Sequence, residues 1–324
     1  MMDIIPTQFI VIFVGLLAIM TFIAVNALIL VYLERKVAGF IQRRPGPYEV
    51  GPQGILQPVA DGVKLLGKQI FTPKGADSKL YWLAPIISIT PAIVCFVVIP
   101  FGPFLQVINS NVGLILILAF TGINVLAICV AGWTSQNKYS LIGAARDISQ
   151  GVAYEIPLLL SILPLIFMTG TLNLYEIVIA QGAWPWQWFI ASQPLAFFIF
   201  FICSLAEANR TPFDLPEGES ELTAGFHTDY AGMGFGLFFF AEYTYMTVAS
   251  CIVAILFLGG FQGPIASGWW WFLAKVYVLL LIMIWIRWTF PRVRFDQLLN
   301  ICWKWLIPLA VLNLLLTLGV IAIC

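Results

Sequence analysis

Charge is scarce in this chain. Of its 324 residues 10% are Asp, Glu, Lys or Arg and 61% are hydrophobic, whereas soluble domains carry about a quarter charged residues, so a water-soluble globule is excluded. Histidine is nearly absent, and the single His227 rules out a bis-histidine haem made by this chain alone. Cys95, Cys129, Cys203, Cys251, Cys302 and Cys324 are scattered with no C-x-x-C pair. Neither an iron–sulfur cluster nor a structural zinc therefore has its usual ligands, and the cysteines read as small apolar packing residues. No Gly-rich phosphate loop or dinucleotide fingerprint occurs. No metal site is expected, and redox chemistry served by this protein must be carried by a ligand or a partner.

Long apolar runs are plentiful. They are roughly twenty residues each, the length a helix needs to cross a hydrocarbon core about 30 Å thick, and they lack the period-two alternation of a lipid-facing barrel. The expected fold is an all-α polytopic membrane protein: one integral membrane domain, a bundle of eight transmembrane helices plus a short amphipathic interfacial helix. The spans fall near 8–33, 81–103, 113–133, 148–169, 190–208, 236–259, 269–290 and 303–323. Asp3 stands where a signal peptide would carry basic residues, and no small-residue cleavage pattern follows the first run, which reads as a retained helix. All Lys and Arg except Lys275 lie in or beside the connections 34–80, 134–147, 209–235 and 291–302. The positive-inside rule makes that face cytoplasmic, or the matrix face in an organelle, and puts both termini outside. Lys275, near the outer end of the seventh span, is expected to snorkel to the interface.

The outer connections contain one charged residue, Glu176, so nearly everything polar is gathered on the inner face, as suits a docking surface. In the first inner connection Glu34-Arg35-Lys36 precedes RRPGPYEVGPQG, where a helix cannot propagate. Ile55, Val59, Val63, Leu66 and Ile70 then recur at spacings of three and four, opposite Gln57, Asp61, Lys64 and Lys68. This is the period of an amphipathic helix lying in the interface plane, either sealing the bundle edge or flanking a doorway for a hydrophobic substrate. The third connection, Arg210 to Phe235, reads RTPFDLPEGESELTAGFHTDYAGMGF and carries Asp214, Glu217, Glu219, Glu221 and Asp229. Such a loop between two greasy segments points to charge movement at a membrane surface. Asp214, three residues before Glu217, resembles an N-cap with an acidic first turn, which would set Glu217 and Glu221 on one helical face.

Three further acids, Glu155, Glu207 and Glu242, fall in the inner parts of the fourth, fifth and sixth spans. A charged residue at a helix centre costs roughly 2.5–3.5 kcal/mol on insertion scales, so three at similar depth call for a reason. One buried cluster is expected. Desolvation and mutual repulsion in a carboxylate cluster favour the protonated form, which suits a proton relay. The plainer reading pairs each acid with Arg146 or Arg210 to fix helix packing. Pro157 and Pro164, and Gly232, Gly234 and Gly236, are places where helices can bend.

At these residues the chain resembles a known family. GPYEVGPQGILQPVADGVKLLGK, KYSLIGAARDISQGVAYE, AEANRTPFDLPEGESELTAGFHTDYAGM and PRVRFDQLLNICWK, in this order and at these separations, are similar to the H subunits of proton-pumping NADH:quinone oxidoreductase, respiratory complex I, whose mitochondrial homologue is NADH dehydrogenase subunit 1. The resemblance implies an eight-helix subunit of a bacterial inner membrane, or of the mitochondrial inner membrane. It would sit where the membrane arm meets the peripheral arm and help form a ubiquinone or menaquinone chamber. FMN and iron–sulfur clusters would belong to partner subunits. The family's quinone passage matches Arg35, Asp61 and Arg287. Its acid-lined route toward the antiporter-like pumps matches Glu155, Glu207 and Glu242, with Asp214, Glu217, Glu219 and Glu221 facing the peripheral arm. Departures from the commonest pattern are Gln69, Ala153, Asp229, Ala231 and Gly234, and none removes a buried acid.

An alternative within the same superfamily is the equivalent subunit of a membrane-bound hydrogenase or ferredoxin-linked pump. A free-standing carrier should show an inverted repeat with polar breaks near the midplane, and no repeat is found. A passive anchor would not need the carboxylates.

Overall fold

A computed structural model describes residues 4–323, without the side chains of residues 4–11, Glu219 and Ser220. Asp3 and Cys324 lie outside the described residues. Among those described there is no strand, and the elements in order are α1 Ile4–Ile41, α2 Gln57–Gly67, α3 Ser78–Val98, α4 Gly113–Thr134, α5 Lys138–Thr169, α6 Leu174–Ala180, α7 Phe189–Ser192, α8 Pro194–Glu207, α9 Glu219–Leu222, α10 Met233–Phe257, α11 Trp269–Thr289, α12 Phe295–Ile301 and α13 Ile307–Ile323. A π-helical stretch, Cys302–Leu306, joins the last two into one rod.

Several helices outrun the apolar spans that announce them. α1 continues through Glu34-Arg35-Lys36 because these are sound helix formers, and it ends where Arg43 takes a φ of 53° ahead of Pro45. α5 starts at Lys138 instead of the expected 148: Asn137 caps it by accepting a 3.1 Å bond from the Tyr139 amide, and no proline interrupts it before Pro157. The connection expected over 134–147 is therefore mostly helix. A helix, α2, forms where the amphipathic one is expected, with Val59, Val63 and Leu66 on its exposed face.

Seven helices among the described residues are long and apolar enough to cross a membrane, namely 12–41, 78–98, 113–134, 138–169, 233–257, 269–289 and 295–323. The fifth expected span falls on α7 and α8, and α8 has only 14 residues, about 21 Å at a rise of about 1.5 Å each, shorter than the seven. α10 is the centre of the bundle, with 83% of its apolar window buried. α3, α8 and α11 pack around it, and Phe96, Phe200, Phe257 and Phe272 are among the largest fully buried side chains.

Lys275 does not snorkel. It is buried, and its Nζ donates to the carbonyls of Leu258, Gly260 and Gln262 at 2.5, 3.0 and 2.6 Å. It lies 4.1 Å from the Trp188 ring. The turn after α10 leaves those carbonyls unpaired by helix, and the ammonium replaces water for them.

The acidic loop also departs from expectation. Asp214 is not an N-cap and Glu217 is not helical: Pro216 and the left-handed Gly218, with φ 42°, delay the helix to the four-residue α9. Glu217 and Glu221 accordingly share no helical face. Two glycines let the loop lie flat on α5. A Cβ on Gly143 would come 2.8 Å from the Pro216 carbonyl oxygen, and one on Gly225, at φ 53°, only 1.7 Å from it.

Candidate functional site

One end of α1, α10 and α11, with the residues just after α8, gathers a charge cluster around Glu34. This residue is 6% exposed. Arg287 bonds one of its carboxylate oxygens, and the Tyr243 hydroxyl donates to the other at 2.6 Å. Arg210 stands 3.7 Å from Glu34 and 3.8 Å from Glu242, with its guanidinium 4.3 Å above the Tyr243 ring. Burial disfavours the charged guanidinium, but Tyr243, Glu34 and Glu242 outweigh it and hold Arg210 firmly protonated. Beside this cluster Arg35 pairs with Asp61, bridging α1 and α2, and Gln57 donates to the other Asp61 oxygen at 3.1 Å. Of the three residues assigned to a passage, Arg35 and Asp61 pair with each other, and Arg287 pairs with Glu34, the neighbour of Arg35 in α1.

Glu34 is not singled out by its sequence neighbourhood, where it looks like part of a surface Glu-Arg-Lys run. A signal is nevertheless present. Ile23, Ala27, Leu30, Glu34 and Ala38 recur at three and four, and all are buried, so a carboxylate in phase with an apolar helical stripe marks an inward-facing acid.

His227 is the second residue whose role the sequence leaves unread. The loop turn Gly225–His227 brings its Nε2 to 3.1 Å from Glu242 Oε1 and 3.5 Å from Glu217 Oε1. Burial disfavours the imidazolium, yet the two carboxylates more than offset this and push the histidine up to about 9. Glu34, Glu217 and Glu242 are then balanced by Arg210, Arg287 and His227. Asp214, by contrast, is pushed up to about 7 by burial and by Glu217, against the pull of Arg292, Arg287 and Arg210. At the rim Glu221 accepts a 2.6 Å ion pair from Arg146, which lowers its proton affinity. The side chain of Glu219 lies outside the described residues.

The three deep acids do not form one cluster. Glu155 and Glu207 line a single narrow cleft of about 40 Å³, together with Asp147, Gln150, Asn124 and Asn209. Glu242 lines a neighbouring cavity with Ser88, Tyr245 and the same Asn124 and Asn209. The division arises because Glu242 points from the central helix toward the loop, whereas Glu155 and Glu207 face one another from α5 and α8. The two asparagines stand between the cavities. Asn209 donates to Asp147 at 2.7 Å, Gln150 donates to Asn209 at 3.1 Å, and Ser88 donates to Asn124 at 2.8 Å. The packing reading fits Glu242, which pairs with Arg210. It does not fit Glu155, Glu207 or Asp147, which have no cation within 4.0 Å among the described residues, and Arg146 is engaged by Glu221 instead. Glu155 is exposed on the bundle surface.

A helical bundle with segments long and apolar enough to span a membrane, and a charge cluster at one end beside an acid-lined cleft, defines a polytopic membrane protein as the class. Residues 14–318 match the family described as NADH dehydrogenase. The chain is 50% identical over 315 residues to the H subunit of the NADH-quinone oxidoreductase of Desulfotalea psychrophila, covering 94% of this chain and 95% of that protein. It is 47% identical to the corresponding H subunit of Dehalococcoides mccartyi strain CBDB1, covering 94% and 85%. It is also 48% identical to the second of the numbered H subunits of Geobacter sulfurreducens, covering 89% of each. The chain belongs to this family, the H subunits of the proton-translocating NADH-quinone oxidoreductases, as the resemblance of its motifs implied.

Proposed function

We propose that this subunit forms part of the quinone chamber where the membrane arm meets the peripheral arm, and that it couples quinone reduction to proton movement through its buried carboxylates. The observation that carries this reading is the continuity from the Arg35–Asp61 edge, through the Glu34 cluster and Glu242, to the cleft of Glu155 and Glu207. Beside that edge the exposed apolar positions Val59, Val63 and Leu66 of α2 suit a doorway from the bilayer for a ubiquinone or menaquinone tail. Arg35, Asp61 and Arg287 line this passage and orient the polar head.

Reducing a quinone to quinol takes up two electrons, delivered through FMN and iron–sulfur centres in partner subunits, and two protons. Protons drawn from the neighbourhood leave uncompensated charge there. The balanced cluster of Glu34, Glu217 and Glu242 with Arg210, Arg287 and His227 passes such a change on electrostatically, because each acid lies within a few ångströms of a cationic partner in a poorly solvated site. Asn209 and Asn124 hand the disturbance to Asp147, Glu207 and Glu155, and Glu155 presents it to a neighbouring membrane-arm subunit. Asp214, Glu217, Glu219 and Glu221 face the peripheral arm. α7 and α8 together act as the fifth of eight spans, both termini face outward, and the membrane is the bacterial inner membrane. The ferredoxin-linked alternative is set aside because each relative named above is called a quinone oxidoreductase subunit.

The test is to replace Asp61 or Arg35 by Ala and compare two activities of the assembled complex. Quinone reductase activity should fall while NADH oxidation by an artificial acceptor at the flavin survives. Equal loss of both would indicate failed assembly instead, whereas unchanged quinone reductase activity in the assembled variants would remove the passage role.

A further inference from the structure

We propose that Glu217, His227 and Glu242 form a binding site for a divalent transition-metal cation of the zinc type, and that an ion held there clamps the acidic loop onto α10. One donor atom of each residue lies within 4.8 Å of the others. His227 Nε2 stands 3.1 Å from Glu242 Oε1 and 3.5 Å from Glu217 Oε1. An ion held about 2.1 Å from each donor in tetrahedral geometry separates its donors by about 3.4 Å, so an ion seated among these three needs little rearrangement. One imidazole with two carboxylates selects zinc-like ions over magnesium or calcium, which prefer all-oxygen shells. A tetrahedral ion would keep its fourth position for water.

The surroundings are consistent with a cation. The ion would take the place of the proton that the two carboxylates hold on His227, so binding releases a proton, and the nearest fixed positive group, Arg210, is also held by Glu34. His227 Nδ1 makes no hydrogen bond among the described residues and can carry the ring hydrogen while Nε2 binds. The side chain of Glu217 is 23% exposed and that of Glu242 15% in the chain by itself, which leaves a small ion, unlike a bulky carboxylate reagent, a way in from the loop side under the peripheral arm. The absence of a paired-cysteine motif, on which the expectation of no metal site rested, does not bear on such a set, because its ligands come from positions 217, 227 and 242 and meet only through the loop fold. Joining two loop residues to the central helix would immobilise the segment between the charge cluster and the acid cleft. The consequence for turnover rests on the function proposed above, whereas binding itself does not.

The experiment uses the assembled complex. It is incubated with a slight molar excess of zinc, freed of loose metal, and analysed for zinc by mass spectrometry, with subunit content checked by blot. Wild type should retain one zinc atom more per complex than His227→Gln or Glu217→Gln, with affinity reduced about tenfold or more in each variant. X-ray absorption at the zinc edge should show nitrogen and oxygen neighbours without sulfur. Zinc should inhibit NADH:quinone turnover while sparing the artificial acceptor at the flavin. Equal zinc retention by wild type and both variants, or a sulfur-containing shell, would overturn the site. If neither variant assembles, the absorption spectrum of wild type decides, and a shell without imidazole rejects the proposal. Zinc bound at this site without inhibition would overturn the clamp and leave the passage reading untouched.

Discussion

At the scale of single residues, the decisive contrast is between acids with cationic partners and acids without. Glu34 is bonded by Arg287 and Tyr243 and lies beside Arg210, so Glu34→Gln strips a buried arginine of its counter-charge. Breaking a buried pair in this way costs roughly 3–5 kcal/mol, and a thermal unfolding midpoint in detergent should fall accordingly, with Glu34→Asp less harmful. Glu155 and Glu207 have no such partner among the described residues. Replacing either by Gln removes only the titratable proton. Both variants should assemble at wild-type levels, yet at least one should lose most quinone-linked proton uptake into inverted vesicles, with Asp at the same position tolerated better. Pumping at wild-type stoichiometry in both would make these carboxylates packing features. Asp214 carries a pH signature. Its folded value of about 7 exceeds that of an unfolded aspartate near 4, so its contribution to loop closure is fully present below about pH 4 and is lost as pH rises through 7. Hydrogen exchange across 210–235, corrected for intrinsic rates, should show closure weakening between pH 6 and 8, about tenfold of it from Asp214 and a further part from His227, whose contribution, set by its raised value, also declines over that range. Asp214→Asn should remove the Asp214 share and leave the part due to His227.

At the scale of elements, the acidic loop is positioned by contacts on α5 that a helical-wheel reading does not show. Gly143 leaves room for the Pro216 carbonyl, and Gly143→Val should lift the loop. The measurable result is faster proteolysis within 210–235 while the transmembrane helices stay protected. The Arg146–Glu221 pair at the rim is partly exposed, and exposed pairs contribute about 0–1 kcal/mol, so Arg146→Ala should change stability little. Helix endings follow local rules as well. Hydropathy marks where a span enters the bilayer, but α1 and α5 continue past it because Glu34-Arg35-Lys36 and the capped Asn137-Lys138 start obey helix preferences that hydropathy ignores. A cap-like reading of 214–221 fails for a related reason: Asp, Pro and Glu at that spacing satisfy a motif, while the left-handed Gly218 among them ends it.

At the scale of the whole molecule, polar groups are concentrated on one face and the lipid-level surface is apolar. That asymmetry predicts that residues 214–229 are covered by the peripheral arm. In the intact complex these residues should resist labelling by a water-soluble carboxylate reagent, and they should become reactive when the peripheral arm is stripped away. Full reactivity in the intact complex would place the docking surface elsewhere.

The sequence by itself determined the helical membrane class and the family, because hydropathy, charge placement and motif strings are linear properties of the chain. The positions of Arg35, Asp61, Arg287, Glu155, Glu207 and Glu242 relative to the apolar runs were legible in the same way. Only the tertiary structure decided how they are partnered. Glu34 with Arg287, His227 with Glu217 and Glu242, and Lys275 with the carbonyls after α10 each join residues from separate elements. A buried charge is governed by its nearest compensating group, and the fold alone decides which group that is.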